Sequence, residues 1–381
     1  MHLLHVFPSF EIGGQQVRMA TLANRLGAEC RHTVLSLNGV TSAADLLDPA
    51  IPLTLHPLPP GRPGKAAAVP AAVAAGKRIR GLAPDLLLTH NWGSMEWVTG
   101  NRWGPRVPHI HFEDGFGPDE SAGRQIFRRM LMRRLVLSGH AMTVVPSRTL
   151  ETIATSLWRL PGARVRYIPN GIDLARFAAA PAPALADRFG IQPGDLVVGS
   201  VGTLRPEKNF RRLIAAVAQA ARGRPVKLVI VGDGPERQLL ETEAQERGLG
   251  GRLVLTGRLA NPEALLGRFD IFALSSDTEQ MPYSLIEAMA AARPVVATDV
   301  GDVASMVADE NRGLVVPPQS FAAYCGALAC LLEQPRLRQR LGIANRAVAH
   351  RRYDLTTMVA TYRELFAELT GGGIRRRLAT E

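Results

Sequence analysis

Residues Asp270–Gly301, DIFALSSDTEQMPYSLIEAMAAARPVVATDVG, constrain this chain more than any other stretch. The apolar run FDIFALSS reads as a buried strand, and Pro282 suits an early helical position. Ser284 to Ala292 reads as a helix that Pro294 ends before a second strand, PVVAT. Strand, loop, helix and strand in that order describe a crossover unit of a parallel sheet. In such a unit the loop and the helix start lie at the carboxyl edge of the sheet, where unpaired N–H groups and the helix dipole favour a phosphate. Glu279 falls in the loop and Glu287 just inside the helix, with seven residues between them. Carboxylates accept hydrogen bonds from hydroxyls, so one on either side of an anion site suits a sugar and a ribose. A nucleotide sugar has that layout.

The alternation extends over the whole chain. At 381 residues it exceeds what one core holds, which predicts two α/β domains. The first opens with strand LLHVFPSF, a turn at Gly13-Gly14 and a helix over Gln16–Leu26; further strands are expected at His32–Leu37, Asp85–Thr89, Val107–Phe112, Met142–Pro146 and Val165–Ile168. The Ala- and Pro-rich run from Ala178 to Asp195 breaks the rhythm and is expected to hold the linker. Expected boundaries are 1–178 for the first domain, 179–195 for the linker, 196–350 for the second domain and 351–381 for a final helix with its tail. Asn170-Gly171 reads as a tight turn. Gly232-Asp233-Gly234 begins a dinucleotide fingerprint, but Arg237 stands where its third glycine would be, which argues against nicotinamide binding.

The Glu, seven residues, Glu element, followed by Glu287-Ala288-Met289-Ala290, Pro294-Val295-Val296 and Gly301, resembles glycosyltransferase family 4. The turn VGTLRPEKNF, the pair Gly13-Gly14 and IPNGID fit the same resemblance. It covers nearly the whole chain and implies a retaining enzyme of GT-B fold: two Rossmann-like lobes facing a central cleft, with a C-terminal helix crossing back to the first lobe. By resemblance the first lobe binds the acceptor and the second the donor. Glu279 and the chain after it, Gln280, Met281, Pro282, Tyr283, Ser284 and Leu285, meet the donor sugar, and Glu287 holds the ribose. Gly13 and Gly14 approach the diphosphate or acceptor, while Gly257 and Arg258 support the base. Lys208 matches the family lysine that takes up leaving-group charge. The family arginine after Gly202 is replaced by Thr203, so Arg205 stands in from two positions on. Cationic side chains there do the work a metal does elsewhere, and the sequence has no Asp-x-Asp pair, so neither metal nor cofactor is expected beyond the donor substrate. Counting along VPHIHFEDG places Asp114 where the family shows a histidine. His111, Glu113 or Asp114 then faces the reacting centre, with His111 and Glu113 on one strand face and Asp114 on the other. Gln280-Met281 replaces the Gly-Phe common in the family loop and is expected to alter the wall around the donor sugar.

Charge is uneven. Residues 1–185 hold 20 Lys+Arg and 12 Asp+Glu, a net of +8 out of +11 for the whole chain. The densest part, GRQIFRRMLMRRLVL, reads as a basic amphipathic helix in which Arg124, Arg128, Arg129, Arg133 and Arg134 interleave with apolar residues. It either recruits the protein to an anionic membrane or packs its apolar face on its own core with the arginines in water. Few aromatics interleave with it, which disfavours nucleic acid. Cys30, Cys325 and Cys330 lack metal-ligand spacing and suit reduced core residues. With neither a spanning run nor a signal-peptide start, the expected place is the cytoplasm, either free or peripheral on the inner membrane face.

The expected activity is metal-independent transfer of a sugar, with retention, from a nucleoside diphosphate sugar to a glycan or lipid-linked acceptor, with lobe closure excluding water. A sugar-nucleotide epimerase of the same fold and a non-catalytic sugar-nucleotide binding module are the competing readings.

Overall fold

A computed structural model describes residues 1–58, 68–116, 120, 123–177, 183–221, 223–259 and 261–371. They form two compact units. Unit 1 comprises Met1–Asn170 and the chain from Thr357; unit 2 is Gly171–Thr356.

Unit 1 is built on a seven-stranded sheet of β1 (His2–Phe7), β2 (Arg31–Ser36), β3 (Leu53–Pro57), β4 (Leu86–His90), β5 (His109–Phe112), β6 (Met142–Val145) and β7 (Val165–Tyr167), in the order β3-β2-β1-β4-β5-β6-β7. All neighbouring strands run parallel, so helices must cover both faces. One face packs Leu4, Val6, Leu35 and Leu87 against Ala75 and Ile79 of the helix Ala68–Leu82 and Trp97 of the helix Met95–Trp103. The edge strand β3 and the helix Ala68–Leu82 were not expected. Pro52 and Pro57 disguise the strand, and the alanine run reads as mere compositional bias.

Unit 2 is a six-stranded parallel sheet of β8 (Leu196–Val201), β9 (Val226–Val231), β10 (Leu253–Leu255), β11 (Ile271–Leu274), β12 (Val295–Thr298) and β13 (Val315–Val316), ordered β10-β9-β8-β11-β12-β13. Successive strand residues divide between two cores: Val197, Phe272 and Val295 join one, Val198, Ala273 and Val296 the other. This is why these strands read as unbroken apolar runs.

The expected linker and the final helix can be placed in the two units. The described part of the 179–195 segment forms the helix Pro183–Arg188, and Ala186 and Ile191 are buried in the core of unit 2. Alanine and proline there mark a short helix start, and the change of unit falls earlier, between Asn170 and Gly171. The final helix, Leu355–Leu369, does return to unit 1: Tyr362 tilts against Phe112 with ring centroids 6.0 Å apart, and Arg363 donates to Glu29 at 2.6 Å. No helix among the described residues is long and apolar enough to cross a membrane.

Candidate functional site

In unit 2 the strand order reverses at β8, which lies between β9 and β11. The loops leaving the carboxyl ends of β8 and β11 therefore share the crevice where open α/β sheets bind ligands. They are stitched together. Asp277 N donates to Glu207 O at 2.8 Å, Ser275 Oγ to Lys208 O at 2.9 Å, and Arg212 spans both the Ser275 carbonyl and the Asp277 carboxylate at 2.7 Å each. Asn209, left-handed at φ 45°, turns the first loop into the helix Phe210–Ala221 and reaches Asp277 at 3.0 Å.

This framework brings Lys208 Nζ to 2.5 Å from Glu279 Oε1, which also accepts from Ser276 Oγ at 2.7 Å. Both side chains keep a water-facing edge, 25% and 11% exposed. The loop is backed by Gly301, at φ 58°, whose missing Cβ leaves room for the Glu279 and Gln280 carbonyls. Asp302 N closes the contact by donating to Gln280 O at 3.0 Å. A cation and a carboxylate thus sit together at the mouth of two loops whose following helix, Tyr283–Ala290, has Pro282 as its N-cap and no side-chain cap. Leu285 N and Ile286 N both donate to Pro282 O, at 3.2 and 3.5 Å. Arg205 lies exposed at the N-cap of the single turn Pro206–Lys208.

Glu287 is half-buried on the same helix. Burial pushes its carboxyl up to about 7, Glu263 adding to the rise and Arg176 opposing it. Arg176 and Glu263, absent from the sequence reading, pair with each other at 2.7 Å beside it. Their separation from Glu287 along the chain hid them. Gln280 and Met281 are both buried, Met281 in the apolar core with Leu285. Ser284 and Tyr283 are half-buried, and Arg258 is exposed beside Gly257. Gly232 packs against the Gly202 carbonyl and bridges to Gly257. The Gly-Asp-Gly turn thus owes its glycine to contact between neighbouring loops.

In unit 1 the three candidates at and after β5 differ in exposure. His111 and Glu113 are wholly enclosed, His111 Nε2 3.6 Å from Glu113 Oε2, and Arg133 Nε donates to the same oxygen at 3.2 Å. Burial alone would raise the Glu113 carboxyl, but Arg133 and His111 outweigh it and hold it low. Neither His111 nor Glu113 offers a surface atom to a ligand. Asp114, on the opposite side, is partly exposed and receives both terminal nitrogens of Arg18. Gly13 is extended at φ −161° and precedes the helix Gly14–Leu26, a backbone any residue adopts, so conformation does not require glycine at 13.

The basic helix is Phe127–Leu137, and its burial is partly inverted from expectation. Arg133 is fully buried between Glu113 and Glu120, under the rings of Trp92 and Trp158, and Arg129 pairs with Glu120 at 3.1 Å. Two of the five arginines are therefore neutralised within the unit. Arg124, Arg128 and Arg134 remain exposed, and so do Phe127, Leu131 and Leu135, at 74%, 43% and 58%.

Two family models match: glycosyl transferases group 1 over residues 183–348 and glycosyltransferase family 4 over residues 12–176. A 2-deoxystreptamine glucosyltransferase of Streptomyces kanamyceticus is 36% identical over 203 residues, covering 51% of this chain and 51% of that protein. The chain thus spans about half the length of that relative. A D-inositol 3-phosphate glycosyltransferase of Segniliparus rotundus is 30% identical over 310 residues, 76% of this chain and 68% of that one. Among solved structures, HepE of Anabaena in complex with UDP superposes with a TM-score of 0.79 at 20% identity, over 97% of this chain and all of that one. It shares the fold of two Rossmann-like sheets.

Proposed function

Since this chain belongs to glycosyltransferase family 4, we propose that it moves a sugar from a nucleoside diphosphate sugar, held by unit 2, to an acceptor hydroxyl bound by unit 1. The observation that carries the reading is the Lys208–Glu279 pair at the carboxyl edge of β8 and β11. A diphosphate competes with Glu279 for Lys208, and a sugar hydroxyl donates to the carboxylate so released. Arg205 lies on the same loop as a second cation. Lys208 then meets charge on the leaving phosphate as the anomeric carbon–oxygen bond breaks. The acceptor oxygen bonds that carbon, and its proton leaves with the nucleoside diphosphate. Attack from the side the leaving group vacates retains configuration. Glu287 takes the ribose hydroxyls, with Arg176 and Glu263 around it. Gly13, the helix start at Gly14 and Asp114 belong to unit 1 and serve the acceptor side.

The relatives that act on 2-deoxystreptamine and inositol 3-phosphate support a polyol or glycosidic hydroxyl as the accepting group; HepE supports UDP-glucose as the first donor to try. The exposed stripe of Phe127, Leu131 and Leu135 beside Arg124, Arg128 and Arg134 favours a peripheral site on anionic lipid and a lipid-linked acceptor. A thermal-shift screen of UDP, GDP and ADP, followed by nucleotide release from the matching sugars, tests the donor. Glu287→Ala should weaken donor use about 10–150-fold; unchanged turnover rejects the assignment. Flotation with phosphatidylglycerol vesicles tests the surface, and Phe127→Ser should abolish it.

A further inference from the structure

Asp114 stands where a neutral or cationic ring is the family expectation, and the chain surrounds it with devices that fix its position. Arg18, on the helix Gly14–Leu26 and only 3% exposed, donates one terminal nitrogen to each carboxylate oxygen, the second at 2.7 Å. Its guanidinium lies 5.0 Å above the Phe112 ring and reaches Asn170 Oδ1 at 3.4 Å. The Asp114 N–H is fixed separately, donating to Asn91 Oδ1 at 2.7 Å. Asn91, at the end of β4, is itself held at φ 53°, ψ 179°, a region otherwise nearly confined to glycine. Its own N–H donates to Phe112 O at 2.8 Å. Backbone strain and a buried arginine thus converge on one carboxylate that still has 11% of its surface free.

We propose that Arg18 is a positioning residue: it holds Asp114 as an oriented anion whose remaining lone pairs accept a hydrogen bond from a sugar hydroxyl in the transferase reaction. An ionised carboxylate only accepts, so the ligand group must be a donor, and the planar guanidinium fork fixes the carboxylate plane in a way that an ammonium cannot. The inference rests on the transferase reading, and the experiment separates the two.

The assay is nucleotide release by the full chain from whichever of UDP-, GDP- and ADP-glucose the wild type turns over fastest, beside binding of the free nucleotide. Arg18→Met and Asp114→Asn should each lower turnover about 10–100-fold with free-nucleotide binding unchanged, and the double variant should be no worse than the poorer single. Arg18→Lys keeps the charge and should remain impaired. Added guanidinium should restore Arg18→Ala but not Arg18→Ala/Asp114→Asn. Additive losses, full activity in Arg18→Lys, or absence of guanidinium rescue in a variant that keeps the wild-type melting temperature overturns the inference while leaving the transferase reading intact. A wild type inert toward all three donors overturns both.

Discussion

The two units share a parallel-sheet architecture but differ in what their interiors contain. Eight of the nine histidines lie in unit 1, and six of them, His2, His5, His32, His90, His109 and His111, are buried. His5, His32 and His90 stack across neighbouring strands, His90 lying 3.7 Å from Phe7, and Arg18, Arg133 and Glu113 are enclosed nearby. In unit 2 the sheet faces are lined by Val, Ile, Leu, Phe and Met, and Lys208 and Glu279 are confined to the loop edge. One half therefore carries buried imidazoles and charges, several of whose polar atoms, both ring nitrogens of His90 among them, have no hydrogen-bond partner, and the other relies on apolar burial. Similar topology does not imply similar sensitivity to pH or to the loss of one side chain.

The sharpest way to break the contrast is Glu113→Ala, which leaves the buried Arg133 with one counter-ion, Glu120, instead of two. It should destabilise unit 1 by about 3–5 kcal/mol while leaving the melting of unit 2 in place, so that calorimetry resolves two transitions. A single unshifted transition defeats the idea. Next in size, Lys208→Ala should lower turnover about 10²–10³-fold with little change in melting, because the lysine belongs to the edge and not to the core. Acidification comes third. Burial, with added repulsion from the amino terminus and His2, lowers His32 to about 4, and burial lowers His5, His90 and His109 well below their ordinary value. A histidine depressed in this way contributes stability that is complete above about pH 6.5 and lost as the pH falls towards 4. Glu113, held low, acts in the same direction. Unit 1 should therefore lose roughly 5 °C between pH 6.5 and 4.5 relative to unit 2, as followed by unit-specific hydrogen exchange. The smallest effect has the opposite sign. Glu287 is raised, so its contribution is complete below its unfolded value near 4.3 and lost as the pH rises through about 7. Glu287→Gln should melt roughly 2 °C higher than wild type at pH 8 and no higher at pH 4.

Much of unit 2 was legible because each strand is a continuous apolar run punctuated by Gly or Pro, and the Glu279–Glu287 spacing pointed to the loop after β11 where Glu279 meets Lys208. What escaped depends on partners distant along the chain. Arg18 meets Asp114 across 96 residues, and nothing near either announces the pair. The basic helix shows the same gap: periodicity predicted arginines outward, yet Arg133 turns inward because Glu113 and Glu120 neutralise it there. Phe127, Leu131 and Leu135 then occupy the outer face. The expected separation of Asp114 from His111 and Glu113 matches their burial, the latter two being enclosed and Asp114 partly exposed, although Glu113 and Asp114 lie beyond the end of β5 at Phe112.

The return of the final helix to unit 1 makes that unit discontinuous: its sheet comes from before Gly171 and one of its covering helices from after Thr356. Unit 2 is topologically an insert within its neighbour. Truncation near residue 350 would therefore uncover Phe112 and Glu29, whereas excising residues 171–356 and splicing the ends leaves every segment of unit 1 present. Recombining halves between relatives would need two splice points, and a chimaera joined at only one would carry a mismatched lid on its first sheet.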